Sequence, residues 1–206
     1  MRLSIRCNRS SAVAIAVAAL VFLGGSPAAH AQIGSNWKAY TSVHDIMLWG
    51  TGTYSNVNGV ETFTIKCTTS GTQRAEKRIH NTYSSGSRQF EGYLRPVSGF
   101  GTSMKQIFKF MMIVAYPQSG GTLRQHSSTF LKSGVFGTWI RVNTIHYTAT
   151  HKAEIWLNGS KVLTMDDPHN PNWHDQYGVY NCQAKDGARV GSVCQSQWRG
   201  VRTWKK

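Results

Sequence analysis

Arg74, Glu76, Arg78 and His80 occupy every second position of Gln73-Arg74-Ala75-Glu76-Lys77-Arg78-Ile79-His80. In an extended chain this spacing puts all four side chains on one face, with Ala75 and Ile79 on the other. Lys77 is then an awkward charge on the apolar side. Two guanidiniums, a carboxylate and an imidazole in a row suit a cleft floor that receives an anion. They suit equally a solvated outer face with an incidental Arg–Glu pair. A second segment, Met104 to Phe110, gives Gln106, Phe108 and Phe110 one parity and Ile107 the other, with Met111 opposed as well. Gln106 there either closes a strand end or presents its amide to a pocket. In a third, Gln176 to Cys182, Gly178 and Tyr180 share a face against Tyr177, Val179 and Asn181. Tyr180 reads as a half-buried packing residue or as a phenol able to move a proton.

The elements that must hold these groups read as strands. Beyond Gln32 almost no stretch has helical period, and short β-branched and aromatic runs alternate with Gly, Ser, Asn and Thr clusters. Val60 to Cys67 places Phe63, Ile65 and Cys67 on one side. Phe108 to Tyr116 is apolar enough for a central strand buried on both faces. Trp139 to Thr148, Ala153 to Leu157, Lys161 to Met165 and Val201 to Trp204 follow. Asn158-Gly159 between two of them is a hairpin signal, because both residues tolerate positive φ. That turn also accounts for the glycosylation sequon Asn158-Gly159-Ser160. The expectation is an all-β, two-sheet antiparallel sandwich or jelly roll with an open cleft, as one domain over 32–206.

Arg2, Arg6 and Arg9 precede the apolar run Ala12 to Leu23, and Ala29-His30-Ala31 has small residues at a cleavage spacing. Residues 1–31 therefore read as a secretory signal, and the protein as secreted or periplasmic. The chain carries 23 Lys and Arg against 9 Asp and Glu, a net charge of +14. Such a surface favours a polyanionic partner, and a secreted destination argues for an acidic polysaccharide over nucleic acid. No membrane contact is expected after the leader is removed, and the domain reads as a monomer. Cys67, Cys182 and Cys194 remain beyond the leader, an odd number that allows one disulfide. Cys182–Cys194 is the preferred pairing, with Cys67 to either partner as the alternative. The absence of a C-x-x-C pair argues against zinc, and no metal or cofactor is expected.

Taken together, Arg74-Ala75-Glu76-Lys77-Arg78, Gln106-Ile107-Phe108 and Gly178-Val179-Tyr180-Asn181 resemble the alginate-lyase-like jelly rolls of polysaccharide lyase family 7. That family carries R-x-E-x-R, Q-I-H or Q-V-H, and Y-x-K-x-G-x-Y-N strands in this order. The likeness spans roughly Thr62 to the end. Phe108 stands where the family has histidine, and Gln176 where it has lysine. These departures move the chain toward the glucuronan lyases of family 20, with His80 a substitute imidazole from the neighbouring strand.

The resemblance implies β-elimination on a polyuronate such as glucuronan or alginate. A base takes the proton beside the carboxylate, and the glycosidic oxygen leaves. Preorganised donors must stabilise the developing dianion. Arg74, Gln106 and His80 would neutralise the carboxylate, and Tyr180 would transfer the proton, alone or as the acid opposite a His80 base. Arg78, Glu76, Gln176 and Phe108 would line the substrate. A glycoside hydrolase needs two suitably spaced carboxylates, and no E-x-D-x-E strand is present. The other reading is a non-catalytic module that binds acidic polysaccharide in the same cleft.

Overall fold

Phe63 and Ile65 are wholly buried while Thr62 and Thr64, which alternate with them, stay half-buried. That alternation is what a strand with one face on a core requires. The computed structural model describes residues 32–108, 110–168, 172–184 and 188–206. The expected leader lies outside the described residues. Among them, strands run in chain order as β1 (Lys38–Ala39), β2 (His44–Trp49), β3 (Thr53–Val57), β4 (Val60–Lys66) and β5 (Arg74–Ile79). Next come β6 (Ser87–Ser98), β7 (Thr102–Ile107), β8 (Met111–Tyr116), β9 (Thr122–Gln125) and β10 (Thr129–Ser133). The chain closes with β11 (Ile140–Tyr147), β12 (Lys152–Leu157), β13 (Ser160–Asp166), β14 (Asp175–Tyr180) and β15 (Val193–Lys205). No described helix is long and apolar enough to cross a membrane.

These strands form two antiparallel sheets packed as a jelly roll. One has the order β13-β12-β11-β6-β15-β4-β3, with β1 added on β15; the other runs β10-β9-β8-β7-β14-β5-β2. The Asn158-Gly159 hairpin forms as expected, with φ of 52° and 84°, and Asn158 Oδ1 accepts the Arg141 amide at 2.9 Å.

Tyr177 locks β14 to the opposite sheet. Its ring packs against Phe63, Phe90 and Trp198 with centroids 5.6, 5.7 and 5.3 Å away. Its hydroxyl donates to Glu61 Oε2 at 2.8 Å. Lys77, the charge that parity turns inward, pairs with this same Glu61, which also accepts the Tyr54 hydroxyl at 2.9 Å. An inward lysine is thus tolerated because the Glu61 carboxylate pairs with it and the Tyr54 ring lies beside it.

Two expectations are corrected here. Phe108 to Tyr116 is not one strand: β7 ends at Ile107, Phe110 N donates back to Ile107 O at 3.2 Å, and β8 begins at Met111. The turn carries Phe110 into the core, against the His146 ring at 5.1 Å. The disulfide joins Cys67 to Cys182 rather than Cys182 to Cys194. Cys194 stays a buried thiol 2.8 Å from Cys182 Sγ and accepts the Thr102 hydroxyl at 3.0 Å.

Candidate functional site

Three adjacent strands, β7, β14 and β5, carry the three segments singled out by their chemistry. Gln176 lies opposite both Gln106 and Arg78, and Tyr180 opposite both Ser103 and Arg74. Directly paired residues point to the same side of a sheet. Arg74, Glu76, Arg78, Gln106, Gln176 and Tyr180 therefore share the face turned away from the core. The parity reading of β5 and β14 holds.

Gly178 sits between Gln176 and Tyr180, opposite Glu76. Its φ is +136°, and a Cβ there would lie 2.4 Å from Ala75 O and 2.7 Å from Glu76 Cα. Glycine is required at this crossing. The irregularity in β14 between Tyr177 and Tyr180 offsets its pairing with β7 at this point.

Glu76 is the hub. It is wholly buried, accepts the Gln106 amide at 2.7 Å, and faces Arg74 Nε across 3.3 Å. Burial drives its pKa up to about 7, although Arg74, Gln106 and Lys105 all favour the ionised form. The Arg74 guanidinium lies over the Tyr180 ring, 4.8 Å from its centroid. Tyr180, Arg74, Glu76 and Gln106 thus form one contiguous chain of contacts. Under Gln106, the buried Lys105 ammonium bonds to Asp175 Oδ1 at 2.5 Å and to the Gln106 carbonyl at 2.7 Å. Gln176 Oε1, Arg78 Nε and Ser103 Oγ are buried without a hydrogen-bond partner. Such orphaned groups cost stability unless a ligand or water meets them.

His80 is not where its proposed role needs it. β5 ends at Ile79, and His80 is exposed, with its Nε2 2.5 Å from Asp45 Oδ2. It stands six residues from Arg74, the partner of Tyr180, about 20 Å away at strand rise. His80 and Tyr180 therefore cannot serve one sugar as base and acid. Parity orders side chains along a strand but does not say where the strand stops.

His174, unnoticed in the sequence, is the imidazole of this face. It precedes β14 and is buried, with Nε2 2.7 Å from Gln176 Nε2. The amide donates and the imidazole accepts, so the ring proton lies on Nδ1. Burial, then the nearby Arg78, lowers its pKa to about 4, so the ring is neutral at neutral pH. Its ring stacks on Phe108. Counting the β14 parity one step upstream would have found it.

Among the described residues, Cys67, Cys182 and Cys194 have sulfur atoms within 4.8 Å of one another; the disulfide leaves one of them a thiol. A cavity of about 360 Å³ lined by Tyr40, His44, Arg202 and Trp204 contains none of the residues named from the three motifs.

No family model matches the chain. It is 28% identical over 137 residues to the citrate-binding protein of Hevea brasiliensis, covering 64% of this chain and 56% of that protein. The chain thus spans about half the length of that curated relative. Among solved structures it is similar to alginate lyase AlgAT5 from polysaccharide lyase family 7, with a TM-score of 0.60, 16% identity, and coverage of 74% of this chain and 82% of that one. An alginate lyase from Corynebacterium sp. gives a TM-score of 0.59 at 11% identity, over 74% and 81% of the two chains. At such identities the likeness carries the fold alone.

Proposed function

We propose that this protein is a secreted polysaccharide lyase that binds a linear polyuronate on the outer face of β5, β7 and β14 and cleaves it by β-elimination. The observation that carries the reading is the contact chain Tyr180–Arg74–Glu76–Gln106, with a phenol beneath a guanidinium and a buried acid tying that guanidinium to an amide. Arg74 meets the uronate carboxylate and stabilises the second negative charge as the adjacent proton leaves. Tyr180 takes that proton and returns it to the departing glycosidic oxygen. Arg78, Gln106 and Gln176 hold neighbouring carboxylates and hydroxyls.

Tyr180 acts alone, because His80 and His174 both lie six residues away along paired strands. One group serving both transfers requires the proton and the leaving oxygen on the same side of the ring. Units of the D-glucuronate and D-mannuronate configuration meet that condition, and L-guluronate does not. Glucuronan and mannuronate-rich alginate are the substrates.

A second reading keeps the ligand and drops the cleavage. It rests on Phe108, an apolar ring where family 7 has histidine, and on the Hevea relative, whose name is that of a carboxylate binder. Incubation with glucuronan and with mannuronate- and guluronate-rich alginates separates the two. Near-ultraviolet absorbance from the new conjugated double bond marks a lyase. Calorimetric binding without it marks a binding protein, and neither signal on any polymer refutes both.

A further inference from the structure

Seven residues lie in one line across the whole sheet that bears the site. Phe130 on β10 pairs with Arg124 on β9, Arg124 with Val114 on β8, and Val114 with Ser103 on β7. Ser103 pairs with Tyr180, Tyr180 with Arg74, and Arg74 with Trp49 on β2. Each step is a direct cross-strand pair, so all seven side chains turn to the face that bears the site, with Ser103 and Val114 as its buried floor. The line starts and ends on the two edge strands, and each end is a large exposed aromatic: Trp49 is 71% exposed and Phe130 58%. Between them stand two arginines, Arg124 over the Tyr116 ring at 5.7 Å and Arg74 over Tyr180 at 4.8 Å.

We infer that Trp49 and Phe130 are the terminal sugar-stacking platforms of an extended binding track, and that the acidic polysaccharide lies across the strands rather than along them. This rests on the polyuronate reading above and adds the direction, the length and the outer subsites. An aromatic face offers a sugar ring's C–H surface a large, rigid apolar contact. Arginine, planar and always charged, matches the carboxylate that each uronate carries. The track covers six interstrand steps of about 4.8 Å, roughly 29 Å, enough for several linked sugars. Carboxylates on the outer face of these described strands do not oppose a polyanion: Glu76 is sealed beneath the surface and Asp45 is held by His80. A path along the strands would leave both exposed aromatics unused.

The test uses defined oligoglucuronates and oligomannuronates, from disaccharide to hexasaccharide, titrated calorimetrically into the full mature protein. Wild type should bind more tightly as length increases. Trp49→Ala and Phe130→Ala should each weaken hexasaccharide binding by several-fold to about tenfold. Disaccharide binding and thermal midpoint should stay at the wild-type level. Hexasaccharide affinity unchanged in both variants overturns the track while leaving the polyuronate reading intact. So does an equal loss for disaccharide and hexasaccharide, or a Trp49→Ala effect confined to sedimentation, which would make β2 an interface between two copies. No binding of any oligomer to wild type overturns both.

Discussion

Phe108 and His174 face each other across β7 and the approach to β14, their rings stacked with centroids 4.5 Å apart and planes at 24°. The Phe108 amide donates to the His174 carbonyl at 2.8 Å, so the antiparallel ladder continues through this pair. An imidazole is thus present beside position 108, on the segment leading into β14, but closed in by Phe108 and Gln176.

That enclosure makes His174 an acid-sensitive element. Its folded pKa of about 4 lies below the ordinary 6.5, so the folded state disfavours the proton. Its contribution to stability is complete above pH 6.5 and is lost as pH falls toward 4. His174→Gln should remove the component that rises between pH 4 and 6.5, so its denaturation midpoint falls relative to wild type as pH climbs through this range. A slope identical to wild type between pH 6.5 and 4 would remove His174 as its source.

Glu76 works in the opposite sense. Its folded pKa of about 7 is above the ordinary 4.5, so its stabilising contribution is present below pH 4.5 and is lost as pH rises through 7. The change amounts to at most about 3 kcal/mol. Stability to urea should fall over this window in His174→Gln, where Glu76 titrates unopposed, and should not fall in Glu76→Gln. Between pH 4.5 and 6.5 the two groups oppose each other, so the separate slopes emerge only in the single variants.

Tyr180→Phe keeps the ring under Arg74 and removes the transferable proton. Turnover on glucuronan or mannuronate-rich alginate should fall at least about a hundredfold, with oligosaccharide affinity within roughly twofold of wild type. Stopped absorbance assays and titration calorimetry read the two quantities separately. Undiminished turnover would take proton transfer away from this phenol.

Lys105 and Asp175 are both buried, and each is the other's charged partner. Lys105→Met leaves a carboxylate in the interior that keeps the Asn81 amide as a hydrogen-bond donor but loses its charged partner. The cost should be about 3 kcal/mol or more by urea denaturation. Replacing both, Lys105→Met with Asp175→Asn, should recover part of it. A double variant no better than the single one would show that the pair is not what holds Gln106 from below.

Much of this arrangement was legible in period two. The faces of Arg74, Glu76 and Arg78, of Gly178 and Tyr180, and the strand Val60–Lys66 all follow from alternation with a core on one side. Strand ends were harder. His80 keeps the parity of Arg78 yet falls beyond β5, and the turn after Ile107 has no Gly or Pro to mark it in Phe108-Lys109-Phe110. The cysteine pairing depends on which strand ends meet. Cys67 and Cys182 follow β4 and β14, elements of different sheets that come together only in the folded sandwich. Trp49 and Phe130 joined the site through register, which is a property of seven strands at once.

β14 serves two audiences with alternate letters: Gln176 and Tyr180 look outward, as does His174 just ahead of it, while Asp175, Tyr177 and Val179 look inward. Loss or gain of a single codon within it would exchange the two sets wholesale, swapping a polar floor for a phenol-and-aliphatic one and forcing amides into the sandwich. Gly178 pins the frame, since no other residue fits against Ala75 and Glu76 at that crossing. Drift in this segment is therefore confined to substitution, and length variation among descendants of this chain belongs in the turns that flank it.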